Sequence, residues 1–268
     1  MRPLQWTLAL SVFVATLISP CILFAQPSGP MPKDIGFDPH FGATVARDVQ
    51  LVAEDGSPHT LGDYLDGRRP VILVLAYYEC PMLCTMVLNG AVNALKRVDL
   101  RPGDDFEVLV VSIDPADTPE RAAAKKASYV GHYDRPGAER GLHFMTGREE
   151  EVRRLAAAVG FKYVYDPIGK QFAHPAGLLV LTGDGTISRY LYGVDFPPRD
   201  MRLALVEAAQ GSIGTPADRL LLLCFHYDPA QGKYGAIALT AVRIGGVVTM
   251  IAIGLLLAKQ IAPRRRRA

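Results

Sequence analysis

Between its two ends the chain lacks any excess of basic residues. Residues 26–233 hold 22 Lys and Arg against 27 Asp and Glu, a net charge of −5, although the full 268 residues sum to +2. That excludes the positively charged footprint a nucleic-acid-binding domain requires. An internal repeat is also missing, which sets aside solenoids and propellers. Disorder is excluded too, because 49% of the residues are apolar and a chain of this length can bury a sizeable core. Cysteine is scarce, with four residues in all, so the use made of each one carries information.

Runs long enough to engage a membrane are confined to the ends. Residues 1–25, Met1 and Arg2 followed by "WTLALSVFVATLISPCILFA", have the form of a secretory signal peptide. Leu23 stands where a cleavage site prefers a smaller residue, so the alternative is an uncleaved anchor. Cys21 follows Pro20, a poor setting for lipid attachment, and is expected to leave with the signal. Residues 236–258, "AIALTAVRIGGVVTMIAIGLLLA", carry one charge, Arg243, and match the ~20 residues that span a bilayer. Arg243 is expected to snorkel toward the interface. The basic tail 259–268 follows at once and is expected to stay in the cytoplasm. Together the two ends predict a single-pass protein of the cell membrane with its folded part on the periplasmic, extracytoplasmic side.

Residues 26–45 are rich in proline and glycine and read as a linker. Residues 46–212 read as one α/β domain, a mixed sheet flanked by helices, and 213–235 as a juxtamembrane segment. A hairpin turning at Asp55-Gly56 opens the domain, and "VILVLAYY" and "FEVLVVSI" are continuous apolar runs of the kind central strands need. Helical spacing recurs from Met82 to Val98, over "DTPERAAAKKASYVGHY" with Asp117 as the expected N-cap, over "REEEVRRLAAAVG" with Gly160 as its stop, and over "PRDMRLALVEAAQ". The run "AGLLVLTGDGTISRYLYG" predicts a closing hairpin.

The chemistry centres on "YYECPMLCTM". Cys80 and Cys84 fall where the first central strand gives way to its helix, the end of the sheet at which α/β proteins place their sites. A thiol beside a helix N-terminus is biased toward thiolate, which is both nucleophile and metal ligand. On a regular helix the i, i+4 spacing leaves the sulfurs too far apart to bond without local adjustment. Pro81 suits a first helical turn. A reversible disulfide and a pair of soft metal ligands both remain open. For the second use an imidazole is wanted, and His174, directly before the strand leading to Gly183-Asp184-Gly185, is the candidate; on its loop it is free to swing toward the cysteines. Two Cys and one His favour copper over hard cations, with zinc also compatible.

The strings "YYECPMLC", "VSIDPADTPE" and "HFMTGREEEV", followed by His174 ahead of "GLLVLTGDG", resemble the SCO/SenC family over about residues 45–210. The resemblance implies a thioredoxin-like fold and a copper ion held by Cys80, Cys84 and His174. It also implies work on the copper-binding subunit of a respiratory cytochrome oxidase during assembly. Thiol-disulfide oxidoreductase activity through Cys80 and Cys84 is the alternative. One departure stands out: family members often have Asp immediately before the histidine, where this chain has Ala173, so an orienting partner is missing and Pro175 is expected to shape the approach instead. Asp114 matches a motif residue near the site and is expected to cap its own loop. Cys224 and His226, flanking Phe225, would share one side of an extended segment. They are expected to belong to an apolar piece at the membrane surface, with a second metal site as the sharper alternative.

Overall fold

The structure is a computed structural model that describes residues 35–80 and 82–214, together with the helical positions Ile244, Gly246 and Thr249. The expected signal 1–25, the basic tail, Pro81, Arg243, Cys21, Cys224 and His226 lie outside the described residues, as does the expected span 236–258 apart from those three positions. Among the described residues no helix is long and apolar enough to cross a membrane.

Eleven strands and five helices alternate along the described domain. Strand β1 (Gly36–Phe37) is followed by the hairpin β2 (Gln50–Val52) and β3 (Pro58–Thr60), a 3-10 turn at Leu61–Tyr64, and β4 (Val71–Ala76). Helix α1 (Leu83–Leu95), β5 (Glu107–Ser112), α2 (Pro119–Tyr133), the short α3 (Ala138–Gly141) and β6 (Leu142–Met145) come next. Then follow α4 (Glu149–Ala158), β7 (Phe161–Lys162), β8 (Val164–Asp166), β9 (Gln171–Ala173), β10 (Gly177–Leu181), β11 (Ile187–Tyr192) and α5 (Pro198–Ala209).

The main sheet has the order β11-β10-β4-β5-β6. Strands β4, β5 and β6 run parallel, and β10 and β11 return antiparallel, so the sheet is mixed as expected for a thioredoxin-like fold. Every residue of β4 and β5 is buried, which is why their sequences read as apolar runs and not as alternations. Each fully buried Val, Leu or Ile there contributes ~1.5–3 kcal/mol of transfer free energy. Helix α1 packs against both α2 and α5, and α5 also covers β10 and β11, while α4 packs on β7. The first parallel crossovers therefore place their helices side by side, as right-handed connections do.

Three local expectations change. The composition of residues 26–45 suggested a linker throughout, yet Gly36 and Phe37 pair with Lys162 and Phe161, and the Asp38 N–H donates to the Gly160 carbonyl at 2.7 Å. Phe37 sits edge-on to Phe161, Tyr190 and Tyr192, so aromatic packing holds this segment where glycine and proline alone predicted none. The N-cap of α2 is Thr118, not Asp117: its side chain accepts from Arg121 N–H, and Pro119 takes the first helical position. The hairpin β8–β9, unforeseen from sequence, turns through Asp166, whose side chain accepts the Ile168 N–H at 2.9 Å, and Lys170 at φ 49°.

Helix α1 contains one glycine, and the structure gives its reason. A Cβ at Gly90 would overlap the Val194 carbonyl oxygen in the segment leading to α5. Gly90→Ala is expected to cost ~1–3 kcal/mol by overpacking. Gly131→Ala in α2, where a Cβ meets nothing within 4 Å, is expected to add ~0.5–1 kcal/mol. Urea unfolding of the two variants reads the contrast.

Candidate metal centre

Strand register creates the site. In the β4–β5 pair Ala76 lies opposite Ser112, so both strands finish at one edge of the sheet. Antiparallel β10 pairs Leu179 with Leu73 and Leu181 with Val71, so the start of β10 lies at that same edge. The segment after β4 carries Cys80, and the segment before β10 carries His174. Residues 90 apart in sequence, Cys84 and His174, come together there with Sγ and Nε2 at 2.9 Å. The ligand atoms of Cys80, Cys84 and His174 all lie within 4.8 Å of one another.

Cys84 lies on the helix as expected, and the adjustment expected at Cys80 takes a definite form. Cys80 is not on the helix. It stands in the turn after β4, where its N–H donates to Tyr77 at 3.4 Å, and α1 begins only at Leu83. Met82, the N-cap, supplies no side-chain acceptor to the helix start. The Cys80 sulfur takes that role by accepting the Cys84 N–H at 3.2 Å. A helix N-terminus leaves donors without partners and a local positive potential, and here a sulfur answers both. Cys84 lies in the first turn of α1, with 2% of its surface exposed against 9% for Cys80.

His174 is not free to swing: it is 7% exposed. Its ring stacks on Phe161 with centroids 6.0 Å apart and meets Tyr77 edge-on at 5.9 Å. Its Nδ1 is 3.0 Å from the Pro175 carbonyl oxygen. That contact assigns the proton to Nδ1 and leaves the Nε2 lone pair directed at Cys84. A backbone carbonyl thus does the orienting that a carboxylate at position 173 would have done.

The two thiols are unlike. Burial resists ionisation of Cys80, but donors from Cys84, the Met82 N–H and the Tyr77 hydroxyl outweigh it and hold the Cys80 pKa below the ordinary thiol value. Burial dominates at Cys84 and pushes its pKa well up, reinforced by the neighbouring Cys80 sulfur. Cys80 is thus the more readily ionised thiol of the pair, and Cys84 is the thiol that donates to His174. Burial also lowers the His174 pKa, which keeps the ring neutral.

Asp117, expected to cap a helix, instead braces the cysteine-bearing turn. Its carboxylate is fully buried and accepts the Tyr78 N–H at 2.8 Å and the Ser112 hydroxyl at 2.5 Å. Arg121 approaches its other oxygen at 3.5 Å and pairs with Glu79 at 3.1 Å. The backbone two residues before Cys80 is therefore tied to β5 and α2. Sequence reasoning missed this role, although Thr118-Pro119 after Asp117 already marked Thr118 as the cap. Asp114 does cap its own loop by accepting the Ala116 N–H at 2.8 Å. The remaining described histidines bond elsewhere: His40 with Ala158, His59 with Ser57, His132 with Asn93 and His143 with Glu107.

The SCO1/SenC family model matches residues 38–210. No curated protein matches the chain. Among solved structures, a protein of Aquifex aeolicus VF5 named as a candidate electron transfer protein is 27% identical, with a TM-score of 0.57 over 65% of this chain and 96% of its own. A second Aquifex aeolicus VF5 structure, named for electron transport, is 26% identical, with a TM-score of 0.54 over 65% of this chain and 100% of its own. Arabidopsis thaliana ScoI, solved with copper bound, is 18% identical at a TM-score of 0.50, over 64% of this chain and 99% of its own, a likeness of fold.

Two outcomes follow from the site's construction. Asp117→Ala strands the Tyr78 and Ser112 donors and is expected to cost ~1–3 kcal/mol for each, with a smaller loss for Asp117→Asn, as read by denaturant unfolding. In the metal-free protein the pKa of His174 lies below its ordinary 6.5, so under mildly acid conditions the unfolded chain binds a proton that the folded one does not. Stability is expected to fall as pH drops from about 6.5 toward the depressed folded value and then to level off for this group. His174→Gln should lack that segment when unfolding midpoints are compared across pH.

Proposed function

The chain belongs to the SCO1/SenC family, and from that premise we propose that it is a membrane-tethered copper-binding protein assisting assembly of the copper centre of a respiratory cytochrome oxidase. The observation that carries this reading is the convergence of two sulfurs and one imidazole nitrogen, all within 4.8 Å, at one sheet edge. That donor set fits copper: thiolates suit Cu(I), and imidazole serves both copper oxidation states. Cys80, Cys84 and His174 are the ligands, and the bound ion supplies a one-electron couple and a cargo for transfer. The protein's own part is to present Nε2 unprotonated, to ease the ionisation of Cys80, and to place Cys84 where its proton can leave on metal binding.

The tether belongs to the proposal as well. Residues 1–25 direct export, 236–258 span the membrane, and 259–268 stay in the cytoplasm, which sets the domain on the same extracytoplasmic side as the copper-binding subunit of the oxidase.

The split between the thiols favours a second reading, thiol-disulfide exchange. The Cys80 thiolate would attack a partner disulfide, one partner sulfur would leave as thiolate, and Cys84, after losing its proton, would resolve the mixed disulfide. The Cys80–Cys84 pair ends oxidised and the partner dithiol reduced. Copper requires the reduced pair, so the two activities exclude each other at any moment.

His174 separates them. His174→Ala is expected to lower copper affinity by at least the ~10–100-fold that loss of an outer-shell partner alone costs, and to change the Cu(II) spectrum. Unchanged stoichiometry and spectrum in equilibrium titration would overturn the three-ligand site. A pair potential below about −300 mV would mark an inert disulfide and overturn the exchange reading.

A further inference from the structure

Four methionines fall among the described residues, and they divide sharply. Met145 and Met201 are fully buried in the core, where the Met145 sulfur accepts from the Tyr64 hydroxyl at 3.6 Å. Met82 and Met86 are 68% and 45% exposed at the start of α1. They are tied to the metal centre through the backbone. The Met86 N–H donates to the Met82 carbonyl at 3.0 Å, and Cys84, whose own N–H donates to the Cys80 sulfur, falls between them in the sequence. Side chains four apart across a helical turn stand ~5–6 Å apart at Cβ, within reach of one shared ion. Cys80, at 9% exposed, is the most accessible of the three centre residues, and Met82 stands two positions after it in the sequence.

We propose that the Met82 and Met86 thioethers form a surface site for a soft monovalent metal ion, through which Cu(I) enters and leaves the centre formed by Cys80, Cys84 and His174. This rests on reading that centre as a copper site. A thioether is neutral, carries no proton at any working pH and cannot join the disulfide, so it offers a ligand whatever the state of Cys80 and Cys84. It also binds more weakly than a thiolate, and an ion received at the rim therefore moves inward downhill.

Replacing both residues by leucine keeps the apolar surface and removes only the sulfurs. In the full chain, Met82→Leu/Met86→Leu is expected to slow Cu(I) loading from an acetonitrile complex several-fold while leaving equilibrium affinity at the centre within a factor of about two of wild type, a difference well under 1 kcal/mol. Equal loading rates would overturn the proposal. A second measurement does not depend on the inner centre: in the full chain carrying Cys80→Ser, Cys84→Ser and His174→Ala, methionine methyl resonances are followed during Ag(I) titration. Shifts at Met82 and Met86, with Met145 and Met201 unmoved, are expected. Unmoved Met82 and Met86 would overturn the outer site, whereas shifts there in a protein whose wild type binds no copper at the inner centre would overturn only the reading beneath it.

Discussion

The hydrogen-bonded register of β4 with its two neighbours is the constraint on which the rest of the structure depends. Parallel pairing with β5 aligns Ala76 with Ser112, and antiparallel pairing with β10 aligns Leu73 with Leu179. Three chain segments, after β4, after β5 and before β10, are thereby delivered to one edge. A slip of one residue would turn every side chain of β4 to the opposite face, so the burial of Val71–Ala76 that stabilises the sheet also fixes where the cysteines emerge. The centre is a by-product of core packing: Cys84 lies on a helix, and Cys80 and His174 lie on short segments whose ends the strands β4 and β10 fix.

Within the centre, differences in burial and donor count make two chemically identical thiols unlike. Cys80 collects the unpaired donors of a helix start that lacks a conventional cap. Cys84 sits one turn further in, where little water reaches it. The arrangement makes one thiol easier to ionise and keeps the second proton until a metal or an exchange partner draws it off.

Much of this was legible in the sequence. The buried strands announced themselves as unbroken apolar runs, and the glycines of the closing turn and of the α4 stop stood where left-handed backbone is needed: Gly160 at φ 62° and Gly185 at φ 91°. The site residues followed from the placement of Cys80 and Cys84 at a strand end and of His174 directly before the strand of the closing hairpin, and the resemblance joined the three as copper ligands. What sequence could not show was contact across long separations. Asp117 beside Thr118-Pro119 looks like a cap because capping is local, and only the aligned ends of β4 and β5 bring it to the Tyr78 N–H. Phe37 looks like part of a linker because its partners Phe161, Tyr190 and Tyr192 come from elements more than a hundred residues away. The thiol asymmetry depends on burial, which no spacing rule contains.

The contact between His174 Nδ1 and the Pro175 carbonyl bears on the charge of the loaded centre. A carboxylate in that place would orient the ring equally well but would add a negative charge next to two thiolates. A carbonyl adds none. On the proposed donor set the two thiolates carry the only formal charges, so a divalent ion leaves the centre neutral and a monovalent one leaves it with a single negative charge. A carboxylate in reach would take those totals to one and two negative charges, and in a buried environment of low dielectric the second charge is the costlier, so the carbonyl favours the monovalent form relative to a centre with a carboxylate in reach. The choice of a main-chain atom as orienting partner is thus also a setting of the oxidation state the pocket prefers, made at a position that side-chain substitution cannot reach.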